Sequence, residues 1–117
     1  MPYAEDAFGS LGDLDLLPGH RIDRDAVREA DALLVRSVTR IDAQLLAGSR
    51  VGFVGTATSG FDHIDLDHLS GRGVRFAYAP GSNANSVAEY VVAALLTISE
   101  ARGLNLQGAR VGIIGCG

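Results

Sequence analysis

The chain has 117 residues, 47% of them hydrophobic, and a mean hydropathy of +0.18, enough apolar material for one cored globular domain rather than a disordered tail. Its net charge of −4 and pI near 5.2 exclude a nucleic-acid or anionic-membrane surface, since both need clustered Lys and Arg. The lone cysteine, Cys116, excludes an internal disulfide, no signal-peptide pattern is visible, and the apolar stretch 91–98, interrupted by Thr97, is too short for a bilayer, so a cytoplasmic location is expected.

The predicted elements alternate. A helix is expected over Tyr3 to Leu11, despite Gly9, and a strand over Leu14 to Leu17. Next come a helix over Arg24 to Ala30 and a strand over Ala32 to Val35. Asp42 to Leu46 reads as a helix, Val51 to Gly55 as a strand, Leu66 to Ser70 as a helix and Val74 to Tyr78 as a strand. The strand runs are branched and apolar without strict alternation, which fits strands covered on both faces of a parallel sheet. A long helix follows over Val87 to Arg102, with Ser86 and Glu89 in an SxxE capping box and Gly103 as a left-handed stop. Val87, Val91, Leu95 and Ile98 form one stripe, and Ala88, Val92 and Leu96 widen it almost to the whole circumference, so this helix is expected to be buried. A last strand is expected over Arg110 to Ile114. Strand and helix in alternation give an α/β fold with a parallel sheet.

In such a sheet ligands gather beyond the carboxyl ends of the strands. Three loops lie there: Arg36-Ser37-Val38-Thr39-Arg40, Thr56-Ala57-Thr58-Ser59-Gly60 and Ala79-Pro80-Gly81-Ser82-Asn83. Together they offer hydroxyls, arginines and backbone amides. A turn at Gly60 can present successive N–H groups as an anion-binding concavity, and the helix start near Ser86 adds a second positive pole. An acidic small molecule suits this edge. Ser, Thr, Asn and Gly are also the ordinary constituents of turns, so no single loop is diagnostic.

The terminal GIIGCG makes Gly115 and Gly117 the first two glycines of a GxGxxG turn, a weak signal without the third glycine and the later acidic residue. His20, His63 and His68 do not form a metal-ligand set: the last two are five apart, off one helical face, and Asp62, Asp65 and Asp67 read as a solvated helix start. Cys116 has no neighbouring base to make it a nucleophile.

The segments VRSVTR, GTATSGFDHID, APGSNANSVAEYVV and VGIIGCG, in this order, resemble the D-isomer-specific 2-hydroxyacid dehydrogenases over residues 30–117. Gly55 to Thr58, GTAT, is similar to the branch that serves pyridoxal phosphate biosynthesis, whereas phosphoglycerate-oxidising members tend to GRAG there. The resemblance implies a flavodoxin-like substrate domain over 1–85 lacking its first strand, an interdomain helix over 86–103, and the start of an NAD-binding Rossmann domain over 104–117. It implies further sequence on both sides of this chain. Ser37 and Thr58 match substrate contacts, Ser59 and Gly60 the turn that holds the substrate carboxylate, and Gly115 and Gly117 the pyrophosphate turn. The family's catalytic Arg, Glu and His fall after residue 117, so no residue here takes those roles. NAD as cofactor, a small phosphorylated 2-hydroxy acid as substrate and a homodimer as the intact assembly follow from the same resemblance. Another member of the family, a nucleotide-sensing corepressor and a non-catalytic flavodoxin-like module stay open as alternatives.

Overall fold

The computed structural model describes residues 3–114. The chain forms two compact units, Met1–Pro80 and Gly81–Gly117.

The first unit carries helix α1 (Ala4–Phe8), a 3-10 turn (Gly19–Arg21), helix α2 (Arg24–Val27), strands β1 (Ala32–Val35) and β2 (Phe53–Thr56), helix α3 (Leu66–Gly71) and strand β3 (Arg75–Tyr78). The strands form a parallel sheet in the order β1-β2-β3, with Val35 opposite Thr56 and Thr56 opposite Tyr78. The expected α/β fold with a parallel sheet is therefore present. Beneath it lies a core of Val35, Ile41, Leu46, Val51, Val54, Ile64, Leu69 and Val74. Phe61 packs edge-on against Phe76 and Tyr78, with ring centroids 6.0 and 5.1 Å away, and so pins the loop after β2 to β3.

Local chemistry sets the boundaries. Asp23 caps α2 by accepting the Ala26 N–H at 2.9 Å, and Asp65 caps α3 by accepting the His68 N–H at 2.9 Å. The expected helix over Asp42 to Leu46 is instead a set of turns. Asp42 Oδ1 accepts both the Gln44 and Leu45 N–H groups at 3.0 Å, and Gly48 at φ 75° ends the segment before a second helical turn can repay nucleation. Its open carbonyls are satisfied by Arg72, which donates from Nη1 to Leu46 O (2.6 Å) and from Nη2 to Ser49 O (2.8 Å). Strand β2 begins at Phe53 rather than Val51; ahead of it the Gly52 N–H donates to Asp31 O (2.9 Å) and Gly52 O accepts from Arg75 N (3.1 Å). Leu14 to Leu17 forms no strand, and Leu16 and Leu17 are exposed.

In the second unit helix α4 spans Ala84–Arg102. It starts earlier than expected: Asn83 is the N-cap, without a side-chain capping bond, and Ser86 and Glu89 lie within the helix, so they are not a capping box. Gly103 does stop it, at φ 62°, with Leu104 N–H donating to Ser99 O (2.9 Å) and Gly103 N–H to Glu100 O (3.3 Å). No α4 residue is buried in this chain, so the expected burial of this helix is not seen among the described residues. Arg110 to Ile114 is likewise not a strand; Val111, Ile113 and Ile114 are exposed, and a strand needs a neighbour for its backbone groups. No helix among the described residues is long and apolar enough to cross a membrane.

A Cβ on the buried Gly55 would lie 2.8 Å from Leu34 Cδ2 and 3.2 Å from Phe53 Cε1. Gly55→Val is expected to cost about 1–3 kcal/mol through overpacking, read as a lowered urea midpoint; an unchanged midpoint would contradict this packing. Phe61→Ala is expected to cost about 2 kcal/mol, below the range for a fully buried Phe because this ring is half-buried, and to broaden the amide signals of residues 58–60 in NMR spectra. Sharp, unshifted signals would show that the ring does not anchor the loop.

Candidate functional site

Parallel pairing brings the carboxyl ends of β1 and β2 to one level. Ala57 N–H donates to Val35 O at 3.0 Å, so Ser37 and Thr58 each lie two residues beyond a paired strand end. Ser37 sits in a turn closed by Thr39 N–H donating to Arg36 O (3.2 Å); it is exposed and makes no hydrogen bond among the described residues. Thr39 is buried, and a Cβ on Gly19 would meet Val38 Cγ2 at 2.6 Å and Thr39 Oγ1 at 3.2 Å, so the 3-10 turn rests directly on the Ser37 turn. Of the two arginines, Arg40 pairs with Asp42 (3.4 Å) at an exposed position worth little, while Arg36 is exposed without an ion pair among the described residues.

The loop after β2 is organised by side-chain hydroxyls. Thr58 Oγ1 lies 2.7 Å from Gly60 O and 2.7 Å from Thr56 Oγ1, which in turn lies 3.0 Å from His63 Nε2. The Ser59 hydroxyl donates to Ala79 O (3.4 Å), and Ala79 N–H donates to Thr58 O (3.2 Å), which ties the loop to the end of β3. A backbone bridge then joins the loops after β1 and β2: Ile41 N–H donates to His63 O (2.8 Å), and Asp65 N–H donates to Ile41 O (2.9 Å). Ile41 is fully buried, so this clamp is protected from water.

Ser37, Thr58, Ser59 and Gly60 therefore share the edge formed by the ends of β1 and β2. Gly60 is exposed but not in the left-handed region, and a Cβ there would meet only Asp62 Oδ2, at 3.9 Å. Gly60 therefore does not supply the left-handed half of an αR-αL concavity, and the Asp62 carboxylate stands close by. Gly81, Ser82 and Asn83, expected on the same edge, belong to the second unit, where the helix start lies at Ala84 rather than at Ser86. Gly115, Cys116 and Gly117 lie outside the described residues. Two shallow depressions lie elsewhere, one on α4 at Ala88, Val92 and Leu96 and one beside α2 at Asp23, Asp25 and Asp42.

Thr56 and His63 escaped the reading of the sequence. Thr56 and Thr58 at a strand exit, two apart and hence on one side, were the available signal. His63 returns to them only because the Ile41–Ile64 bridge folds the loop back, which periodicity does not reveal. His68, by contrast, buries its Nε2 without a partner among the described residues, and His20 lies in the 3-10 turn.

Residues 4–108 match the family described as "D-isomer specific 2-hydroxyacid dehydrogenase, catalytic domain". Over all 117 residues the chain is 56% identical to a protein of Chromohalobacter salexigens and 52% identical to one of Yersinia pestis, each named erythronate-4-phosphate dehydrogenase. It spans 30% and 31% of the length of those curated relatives. A solved protein from Pyrococcus horikoshii shares the fold at a TM-score of 0.68 with 20% identity, covering 89% of this chain and 35% of that one. A structure from the identification of the pyruvate reductase of Chlamydomonas reinhardtii aligns at a TM-score of 0.56 with 28% identity, covering 82% of this chain and 32% of that one. With a parallel sheet whose strand-end loops carry the family's motifs, this chain belongs to the D-isomer-specific 2-hydroxyacid dehydrogenases.

Proposed function

We propose that this chain is the substrate lobe of an NAD-dependent dehydrogenase that converts 4-phospho-D-erythronate to 3-hydroxy-2-oxo-4-phosphooxybutanoate in cytoplasmic pyridoxal phosphate biosynthesis. The observation that carries this reading is the alignment of Ser37 and Thr58 at the paired ends of β1 and β2, in a chain 56% identical to a relative of that name. In this reading the first unit is the lobe, α4 (Ala84–Arg102) is the helix that follows it in the chain, and 104–117 is the start of the cofactor domain. The intact enzyme is a homodimer.

The chemistry is oxidation at C2: the C2–H bond breaks to give a hydride, the hydroxyl proton passes to the family's catalytic histidine, which has no match in this chain, and a carbonyl forms. NAD, when bound, accepts the hydride, and the pyrophosphate turn that would hold it includes Gly115 and Gly117. This chain's own residues bind and orient the acid. Ser37 offers a hydroxyl with no protein partner among the described residues, Arg36 a nearby guanidinium, and Ser59 and Gly60 backbone amides for the carboxylate. Thr58 is held rigid by its two hydroxyl contacts, so it orients a ligand without paying for its own ordering.

Thr58→Ala in the enzyme carrying this lobe is expected to raise KM for 4-phosphoerythronate about tenfold, as loss of one hydrogen bond implies, and to leave KM for NAD unchanged. Equal effects on both would remove Thr58 from the acid site. The 117-residue chain by itself is expected to reduce no NAD with 4-phosphoerythronate, because the family's catalytic Arg, Glu and His have no match within it; measurable NADH formation would contradict the assignment of this chain to binding alone.

A further inference from the structure

We infer that His63 is a positioning residue whose Nε2–H drives a one-way hydrogen-bond chain, so that the Thr58 hydroxyl can only accept from a ligand. The direction follows from proton counting. Gly60 O has no proton, so at 2.7 Å the Thr58 hydroxyl donates to it. A hydroxyl has one proton, so across the 2.7 Å contact Thr56 donates and Thr58 accepts. The Thr56 proton is then engaged, and the 3.0 Å contact with His63 requires the proton to sit on Nε2. The chain runs from His63 Nε2–H through Thr56 and Thr58 to the Gly60 carbonyl.

The other tautomer breaks a link. A bare Nε2 would draw the Thr56 proton toward the ring; Thr58 would then have to turn its own proton to Thr56 and abandon Gly60 O, or face Thr56 with no proton between them. One of three bonds is lost either way, and Thr56 is only 4% exposed, so water does not readily replace it. The His63 backbone is fixed beside the Thr56 end of β2 by Ile41 N–H at 2.8 Å, and Ile41 is fully buried, so the ring is carried within reach of Thr56.

The consequence concerns specificity, and it rests on the reading of Thr58 as a ligand contact. One lone pair of Thr58 Oγ1 is occupied by Thr56 and its proton is committed to Gly60, which leaves one lone pair on the hydroxyl of a half-exposed residue. That oxygen suits a ligand hydroxyl, a donor, and not a carboxylate or phosphate oxygen, an acceptor. Thr58 thus reads the hydroxylated carbon chain of the acid, and the anionic groups lie against other residues.

The test has two arms. Long-range 1H–15N spectra of the 15N-histidine-labelled enzyme, at a pH where the ring is neutral, are expected to show His63 protonated on Nε2, with the preference relaxing in Thr58→Val; predominant Nδ1–H in the unmodified enzyme overturns the inference. In kinetics, His63→Gln, whose amide donates from a comparable position, is expected to keep KM for 4-phosphoerythronate within about twofold. His63→Leu is expected to raise it about tenfold with KM for NAD unchanged, as the loss of one oriented hydrogen bond implies. An unchanged KM in His63→Leu beside a raised one in Thr58→Ala overturns the positioning role alone. Unchanged values in both overturn it together with the reading of the site. Should His63→Leu fail to fold, a KM raised in His63→Gln as far as in Thr58→Ala counts against the inference.

Discussion

The constraint on which the structure depends is the register of β2 between its two parallel neighbours. Val35, Thr56 and Tyr78 lie across from one another at the last rung, so every loop that leaves the sheet starts from one level. Parallel strands bring their carboxyl ends to the same edge, and that edge is where an α/β sheet exposes backbone amides and polar side chains. Val54 and Thr56 are buried, so slipping the strand by one residue would exchange their faces and dismantle both the core and the hydroxyl chain. The Ile41–Ile64 bridge adds a parallel pairing beyond the strands themselves, which explains how short strands hold the loops after β1 and β2 together.

Much of this was legible in the sequence because the strands are unambiguous. Ala32 to Val35 and Val74 to Tyr78 are branched and apolar, and the structure forms strands there with boundaries shifted by at most one residue. The failures share a cause: local pattern was weighed without the partner that decides it. Asp42 was read as a helix start, yet its carboxylate engages two amides at once and Gly48 ends the segment within one turn. The apolar circumference of α4 and the branched run 110–114 were read as burial and pairing. Within the described residues α4 has no buried residue and 110–114 pairs with no strand.

The site was legible in outline and not in its chemistry. Strand-end placement and family resemblance both pointed to Ser37 and Thr58, and the register brings their loops to one level. The Gly60 backbone is not left-handed and Asp62 stands beside it, details that the glycine's position in the sequence does not reveal. What a linear reading could not supply was the hydroxyl chain. Thr56 reads as the first residue of the loop after the strand and His63 as the approach to a helix, and the backbone clamp at Ile41 makes them neighbours. Hydrogen-bond direction is a further step removed, since it depends on counting protons around a carbonyl that only the folded loop presents.

The central claim is that the edge formed by the ends of β1 and β2 recognises a hydroxy acid through an accepting Thr58. A crystal structure of the enzyme with 4-phospho-D-erythronate bound tests it most directly. The account predicts the acid along Ser37, Thr58 and Gly60, with a ligand hydroxyl within hydrogen-bonding distance of Thr58 Oγ1 and the Thr58 to Gly60 bond intact. A phosphate or carboxylate oxygen seated on Thr58 Oγ1, or an acid bound away from this edge, would contradict it.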